Sequence, residues 1–259
     1  MTKKLWVRAG GLCLPLLLLV AGCKRSTQAN KPAAAAPHYT QIDNATAGAI
    51  AGTIHFTGVP PTPATIDMSE DPACGVASKT PNMTEQYVVH HGRMANVFVY
   101  VKEGLGNRVY MPTKTPVVLD QKGCRYIPHV IGAMVGQPVE FRNSDPTKHN
   151  VHIIAPGSTY ATGFSISEPP GSAPQQHIFH TPGLMIPVRC DFHPWMEAFL
   201  NLVKTPFFAV SGTDGHFEIK GLPAGKYTLA AVQERLGEKT QTLTVESGKT
   251  TTVNFTLSQ

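Results

Sequence analysis

The chain has 259 residues, and its 22 lysines and arginines outnumber its 17 aspartates and glutamates. Three of the basic residues and none of the acidic ones lie in the first 22 positions, so the rest of the chain is close to neutral. This balance gives no reason to expect nucleic-acid binding or strong electrostatic attraction to lipids. We also find no nucleophile elbow, phosphate-binding loop or paired-carboxylate signature, and therefore do not expect an enzyme.

The N-terminal segment has the features of an export signal. A basic start is followed by the apolar stretch Leu12–Val20, which is too short to span a bilayer comfortably. The string LVAGC, ending at Cys23, resembles the bacterial lipoprotein box, whose cysteine becomes the lipidated first residue of the mature chain. An ordinary secretory signal with an incidental cysteine is the alternative. We expect a cleaved signal peptide at residues 1–22 and a protein held by lipid at a membrane of the bacterial cell envelope, facing the periplasm.

The residues that follow the signal have a composition typical of a tether. From Cys23 to residue 46 the chain carries Pro and Ala with no apolar periodicity. Such a segment cannot bury enough apolar surface to fold. Residues 23–46 are therefore predicted to be a lipidated cysteine followed by a flexible linker.

Beyond residue 46, short apolar segments alternate with Gly and Pro, and no stretch of ten residues shows convincing helical periodicity. Segments such as IAGTIHF, NVFVYV, PVEFRN, LMIPVRC, EAFLNLV and KYTLAAV are typical of short strands. Many short strands of this kind predict an all-β protein built from β-sandwiches. About 210 residues exceed one small sandwich, so two domains are expected.

Two distant parts of the chain resemble one known domain. The C-terminal strings Asp214–Ile219 and Gly221–Leu229 resemble the second half of a carboxypeptidase regulatory-like domain, a transthyretin-like sandwich. That family opens with a strand of the form G-x-I-x-G-x-I, which occurs here far upstream, at Gly48–Ile54. The resemblance implies that residues 47–108 and 206–259 form one sandwich, with the domain at residues 109–205 inserted in it. Consecutive domains without a shared sheet are the alternative.

The string CDFHPWM, between the apolar segments LMIPVR and EAFLNLV, has the spacing of a metal site. Cys190, His193 and Met196 follow one another at intervals of three, so a thiolate, an imidazole and a thioether can face a single ion. Two histidines and a cysteine with a distant methionine form the blue-copper pattern, whereas zinc more usually recruits another cysteine or histidine. His149, after the strand PVEFRN and a turn, offers the second imidazole.

The strings PVEFRN, HNVH and CDFHPWM, in this order and separation, resemble cupredoxins, most closely amicyanin and plastocyanin. The resemblance covers residues 125–204 and implies a Greek-key β-sandwich that binds one type 1 copper ion through His149, Cys190, His193 and Met196. His152 competes with His149 for the ion. Residues three apart in a strand point to opposite faces, and the match of His149-Asn150 to the family motif favours His149.

The resemblance also assigns roles around the copper ligands. It implies that the backbone N–H of Asn150 points at the Cys190 sulfur, and Phe192, where amicyanin has a proline, offers a second N–H. Hydrogen bonds to a thiolate lower its electron donation to the metal, so we expect a reduction potential above that of amicyanin. In related proteins the ring of the second histidine reaches the surface, and Pro194 and Trp195 are accordingly predicted to form a docking patch for a redox partner. Alternatively, Trp195 packs inward and stiffens the loop.

The predicted function is single-electron transfer between unidentified redox proteins, with copper as the cofactor. A copper storage or delivery protein is the second interpretation, and it would bind Cu(I) without reversible redox cycling. A carbohydrate-binding or cell-wall-binding module is the third, because regulatory-like sandwiches resemble carbohydrate-binding-like folds. Fold does not settle function, however, and residues 206–257 show no obvious row of exposed aromatics.

Three cysteines remain once Cys13 in the signal and the lipidated Cys23 are set aside. Export implies an oxidising compartment, where cysteines are free to pair. We pair Cys74 with Cys124, because Cys190 lies in the metal-ligand string. Closing this loop would stabilise the fold by about 4 kcal/mol in the chain-entropy model. Two reduced, buried thiols are the alternative.

Overall fold

The Gly- and Pro-punctuated segments form short strands, and the prediction of an all-β protein is confirmed. The structure, a computed structural model, describes residues 38–78, 80–154 and 163–259. The predicted signal peptide, the predicted lipidation site Cys23 and most of the predicted linker lie outside the described residues. Within those residues, no helix is long and apolar enough to cross a membrane. The elements in chain order are β1 (Gly48–Thr57), α1 (Pro72–Ala77), β2 (Val89–His90), β3 (Arg93–Met94), β4 (Phe98–Glu103), β5 (Val117–Gln121), β6 (Tyr126–Ile127), β7 (Val130–Met134), β8 (Pro138–Asn143), β9 (His149–Ile153), β10 (Phe164–Glu168), β11 (Gln175–Ile178), β12 (Gly183–Arg189), β13 (Glu197–Val203), β14 (Phe208–Val210), β15 (His216–Leu222), β16 (Gly225–Gln233), β17 (Gly237–Val245), β18 (Thr250–Thr252) and β19 (Phe255–Ser258).

One sandwich contains strands from both ends of the described chain. β1 pairs antiparallel with β15 and parallel with β18 and β19, in a sheet of order β15-β1-β3-β2. The second sheet has the order β14-β4-β16-β17. Alternate residues of β1 are buried, as expected for a strand with one face in a core. That core includes Ile50, Ile54, Val99, Phe217 and Tyr227. Strands from before residue 108 and after residue 206 therefore share sheets, while the predicted domain boundaries themselves stay a prediction.

The strands from β5 to β13 form a second sandwich. A sheet of order β10-β9-β12-β13-β7 packs against one of order β11-β8-β5-β6. β13 runs parallel to β7 and β5 runs parallel to β8, whereas the other neighbours are antiparallel. The core between these sheets includes Leu119, Phe141, Val151, Val188 and Leu200. Because β9 and β12 are neighbours, the strand ends that carry the candidate ligands lie side by side.

A third apolar cluster joins the two sandwiches. It combines Phe98 of β4 and Val232 of β16 with Phe199 of β13. Gly132 of β7 lies against it, and a Cβ at that position would be 2.6 Å from the Phe98 ring and 2.8 Å from the Phe208 ring. The missing side chain at Gly132 therefore allows the close approach of the sandwiches.

The connection between β1 and β2 contains helix α1, which the sequence analysis did not predict. Six residues are too few to show helical periodicity. Local chemistry explains where the helix begins, because Oδ1 of Asp71 accepts the N–H of Ala73 at 2.8 Å and Pro72 occupies the first turn. Cys74 in this helix forms a disulfide with Cys124, the pairing proposed from the sequence, and so fastens α1 to the second sandwich.

Candidate metal centre

The candidate ligands lie where two neighbouring strands end. His149 is the first residue of β9, and Cys190 follows the last residue of β12. Antiparallel pairing of β9 with β12 places the start of the first strand beside the end of the second. His193 and Met196 belong to the short connection from β12 to β13. Strand pairing and one tight loop thus bring together residues from two separate parts of the sequence.

Three of the four predicted ligands converge. Nδ1 of His149 lies 2.9 Å from Nδ1 of His193, and the Cys190 sulfur lies 3.7 Å from the same His193 nitrogen. All three ligand atoms are within 4.8 Å of one another. His149 is 0 % exposed, and Cys190 and His193 are each 4 % exposed. A single ion could therefore contact two imidazoles and a thiol in a place that water hardly reaches.

Met196, the fourth predicted ligand, lies in the apolar core. It is 1 % exposed and belongs to the same core cluster as Cys190. Its backbone N–H donates to the carbonyl of His193 at 2.9 Å and closes the turn between the two residues. The Met196 side chain is thus buried next to the loop that carries the thiol and the imidazole.

The surroundings of Cys190 favour a thiolate. Burial raises the pKa of the thiol, but hydrogen-bond donors around the sulfur outweigh it and bring the pKa down to about 7. The backbone N–H groups of Asn150 and Phe192 donate to the sulfur, and the rings of His149 and His193 contact it as well. Cysteine binds a metal in its deprotonated form, so a lowered pKa favours metal binding at neutral pH.

The carboxylate of Asp145 contacts Nε2 of His149, the ring nitrogen that faces away from Cys190. Oδ2 of Asp145 lies 3.0 Å from Nε2 of His149, and the two oxygens of Asp145 accept the N–H groups of Gly123 and Cys124 at 2.7 Å each. Burial lowers the pKa of His149, but its hydrogen bonds to Asp145 and Cys190 raise the pKa to about 9. Burial raises the pKa of Asp145, yet these hydrogen bonds leave it below its ordinary value.

A second carboxylate covers the outer side of the His193 ring. Oδ2 of Asp71 lies 2.9 Å from Nε2 of His193. The expectation that this ring reaches the surface is wrong, because the connection between β1 and β2 lies over it. That connection is outside residues 125–204, so the cupredoxin resemblance contained no information about it.

The two residues of the predicted docking patch differ in exposure. Pro194 is exposed, whereas Trp195 is partly buried, with its ring centre 5.1 Å from that of His193. Both line a cavity of about 250 Å³ together with His129 and Glu197. Within the described chain, the buried Nε1 of Trp195 has no hydrogen-bond partner. The partial burial of Trp195 and its contact with the His193 ring are compatible with the alternative in which it stiffens the loop, and partner docking at this patch stays a prediction.

His152 is not part of the converging group. Its Nδ1 lies 3.0 Å from Oδ1 of Asp191, the residue that follows Cys190. Asn150 reinforces this contact, because its side-chain amide donates to Oδ2 of Asp191 at 2.6 Å and its side-chain carbonyl accepts the Asp191 N–H at 2.7 Å. His152 therefore helps to fix the loop that carries the thiol.

The sequence analysis did not identify the two carboxylates behind the histidines. Asp145 stands four residues before His149, in the turn between the strings PVEFRN and HNVH, and this spacing is a signal that could have suggested it. Asp71 carried only the signal of a helix start. Nothing in the sequence pattern places it beside His193, which is 122 residues away.

The C-terminal part of the chain matches one family model. Residues 198–258 match the carboxypeptidase regulatory-like domain. This match confirms the resemblance drawn from residues 214–229. No curated protein sequence matches the chain.

Solved structures similar to part of the chain include a copper-containing nitrite reductase and several forms of amicyanin. The copper-containing nitrite reductase from Thermus scotoductus SA-01 is 22 % identical over 39 % of this chain and 25 % of that one, with a TM-score of 0.32. A reduced Cu(I) form of an amicyanin mutant is 20 % identical over 35 % of this chain and 84 % of that one, with a TM-score of 0.31. A second reduced amicyanin mutant is 18 % identical over 40 % and 97 %, with a TM-score of 0.30. The chain spans only a quarter of the nitrite reductase but most of amicyanin.

Proposed function

We propose that this protein holds one type 1 copper ion and carries single electrons between redox proteins of the cell envelope. The observation that carries the proposal is the convergence of two imidazole nitrogens and one thiol sulfur within 4.8 Å, in a buried site. Two imidazoles and a thiolate with a weak thioether form a donor set that suits copper. The residues that would hold the ion are His149, Cys190, His193 and Met196. Copper bound there would supply a one-electron couple.

The placement of the donor atoms of these residues fits such an ion. A pKa of about 7 makes the thiolate of Cys190 accessible near neutral pH. Nε2 of each histidine faces a carboxylate, which leaves the two Nδ1 atoms on the side of the sulfur. At a separation of 2.9 Å these nitrogens have room for only one hydrogen between them. The site therefore suits a metal ion that accepts an electron pair from Nδ1 of each ring.

The surroundings of the ligands support electron transfer over substrate chemistry. Both imidazole rings are fixed by carboxylates, and the sulfur receives two backbone N–H groups, so the donor atoms have little freedom to move. The histidines and the cysteine are almost completely buried, which limits access for water or a substrate. A rigid, enclosed ligand set keeps the rearrangement that accompanies each electron small.

We also propose that a lipid on Cys23 anchors the protein, with the signal peptide removed. Mass spectrometry of the mature N-terminus is expected to find a diacylated cysteine in the membrane fraction. Replacement of Cys23 by Ser should release the same protein in soluble form. An unmodified N-terminus at another residue would contradict the anchor without affecting the metal site.

The first test of the proposed function is spectroscopic. We expect the exported protein with Cu(II) to show an intense blue absorption band and narrow copper hyperfine splitting in electron paramagnetic resonance. Cys190→Ser should abolish both signals, because the band requires a thiolate ligand. His216→Asn is the matched control, since His216 is an exposed histidine outside the converging group. It should keep the blue band.

Two results would contradict the proposal. A colourless protein with bound Cu(II) would exclude a type 1 site. Tight Cu(I) binding without a reversible couple in voltammetry would support the storage or delivery interpretation.

A further inference from the structure

The connection between β1 and β2 lies across the candidate metal centre. We call the described residues of 58–88 the cover segment. The disulfide between Cys74 and Cys124 fastens it to the second sandwich. Asn82 adds a hydrogen bond from its side-chain amide to the carbonyl of Gly123 at 2.7 Å. Cys74 and Asn82 therefore both hold the cover segment against Gly123 and Cys124. These are the two residues whose N–H groups donate to Asp145.

Asp71 is the residue of the cover segment that reaches the site. Its Oδ2 lies 2.9 Å from Nε2 of His193 and also accepts the Thr147 hydroxyl at 2.9 Å. Its Oδ1 accepts the N–H of Ala73 at 2.8 Å. Both oxygens are thus engaged, and the carboxylate has a fixed orientation toward the imidazole. A chance contact between a surface aspartate and the ring would not require two further hydrogen bonds that fix the carboxylate.

The contact repeats the arrangement at the other histidine. Asp145 holds Nε2 of His149 at 3.0 Å, just as Asp71 holds Nε2 of His193 at 2.9 Å. A carboxylate on one imidazole nitrogen keeps the proton there, fixes the ring orientation and makes the other nitrogen a better electron-pair donor. One of these carboxylates comes from the turn before β9, and the other from a different part of the chain.

We propose that Asp71 is a positioning residue of the metal centre. It holds the proton of His193 on Nε2, so that Nδ1 presents its electron pair toward Cys190 and His149. This inference rests on the proposed copper site, and it adds that the site is complete only when the cover segment is in place. Loss of the carboxylate is expected to weaken Cu(II) binding by about 10–100-fold.

The first arm of the test uses the copper-free protein. In protein with ¹⁵N-labelled histidine, nitrogen chemical shifts report which ring nitrogen of His193 carries the proton. We expect the Nε2–H tautomer in the wild-type protein and a mixture of tautomers in Asp71→Asn and Asp71→Ala. Asp67→Asn is the control, because Asp67 is an exposed aspartate of the same segment whose carboxylate accepts the N–H of Ser69. It should leave the His193 shifts unchanged.

The second arm measures copper. Competition titrations give the Cu(II) and Cu(I) dissociation constants of the wild-type protein, Asp71→Asn and Asp67→Asn. A more basic imidazole favours Cu(II) over Cu(I), so Asp71→Asn should lose more affinity for Cu(II) than for Cu(I). A tenfold difference between the two losses would raise the reduction potential by about 59 mV. Circular dichroism confirms that each variant remains folded.

The outcomes separate this inference from the proposed function. The role of Asp71 is supported if Asp71→Asn shifts the His193 tautomer and weakens Cu(II) binding. Asp67→Asn should show neither change. Wild-type tautomer and affinity in a folded Asp71→Asn overturn it. If the wild-type protein does not bind Cu(II), the proposed function fails. The His193 tautomer in the copper-free wild-type and Asp71→Asn proteins then decides whether Asp71 positions the ring.

Discussion

Asp145 and His149 stand four residues apart, and Oδ2 of the first lies 3.0 Å from Nε2 of the second. The same carboxylate accepts the N–H groups of Gly123 and Cys124 at 2.7 Å each. One side chain therefore connects a candidate ligand to the loop after β5 that carries the disulfide. The position of the ring depends on the fold of that loop, and the loop depends on the carboxylate.

Replacement of Asp145 by Ala should destabilise the fold independently of any metal. The change leaves the N–H groups of Gly123 and Cys124 without their acceptor, and a buried unsatisfied donor costs about 1–3 kcal/mol. We expect the free energy of unfolding in urea to fall by at least that amount. Asp145→Asn keeps one acceptor oxygen and should lose less. Equal losses in the two variants would contradict this assignment.

The backbone N–H of Phe192 is predicted to tune the thiolate. It donates to the Cys190 sulfur, whereas the Phe192 side chain is 49 % exposed, with the Lys148 ammonium 4.5 Å from its ring centre. Phe192→Pro removes the N–H and should raise the pKa of Cys190 above about 7 in the copper-free protein. Ultraviolet absorbance of the thiolate during a pH titration measures this change.

The same substitution should lower the reduction potential of the copper-loaded protein, because the sulfur then donates more electron density to the metal. Voltammetry measures the potential. Phe192→Ala keeps the N–H and is the control for loss of the ring. No difference between the two variants, in thiol pKa or in potential, would show that the N–H has no such effect.

The part of the candidate site that lies within one sandwich could be predicted from the sequence. Cys190, His193 and Met196 belong to one short loop, where sequence spacing nearly determines spatial proximity. His149 required only that two strands of the same sandwich be neighbours. The contact between Asp71 and His193 could not be predicted, because it depends on a connection without periodicity and on the docking of that connection over the loop.

The fold, too, could be predicted only in part from the sequence. The pattern G-x-I-x-G-x-I identified β1 as a strand and related it to the C-terminal strands, and β1 pairs with β15 with Ile50 opposite Ile219. The register itself was not readable, since it depends on which side chains pack between the sheets. Strands such as β2 and β3, with two residues each, are too short to show alternation.

Close packing of the two sandwiches at Gly132 predicts a cost for any side chain there. A Cβ would lie 2.6 Å from the Phe98 ring and 2.8 Å from the Phe208 ring, and neither ring is the end of a flexible chain. Gly132→Ala should therefore lower the free energy of unfolding by about 1–3 kcal/mol through overpacking. Gly75→Ala is the control, because a Cβ on Gly75 meets nothing within 4 Å. In α1 it should be neutral or stabilising by about 0.5–1 kcal/mol. Unchanged stability of Gly132→Ala would contradict the packing argument.

A buried histidine outside the converging group predicts a pH dependence of stability. Nε2 of His129 lies 3.1 Å from Oε1 of Glu234, and Nδ1 faces the carbonyl of Glu197 at 3.2 Å and a carboxylate oxygen of Glu85 at 3.8 Å. Burial lowers the pKa of His129, but the hydrogen bond and charge of Glu234, with smaller effects from Glu85 and Glu197, raise the pKa above its ordinary value of 6.5.

A raised pKa in the folded state means that the folded protein binds the proton more tightly than the unfolded chain. The stabilisation is complete below pH 6.5 and is lost as the pH rises through the folded-state pKa. His129→Gln removes this titration, so the stability advantage of the wild-type protein over the variant should be largest at low pH and shrink above pH 6.5. Urea denaturation at a series of pH values measures the difference. His216→Gln replaces an exposed histidine and should not change the profile. A difference between wild type and His129→Gln that stays constant or grows with pH would show that His129 is not held in the charged form by Glu234.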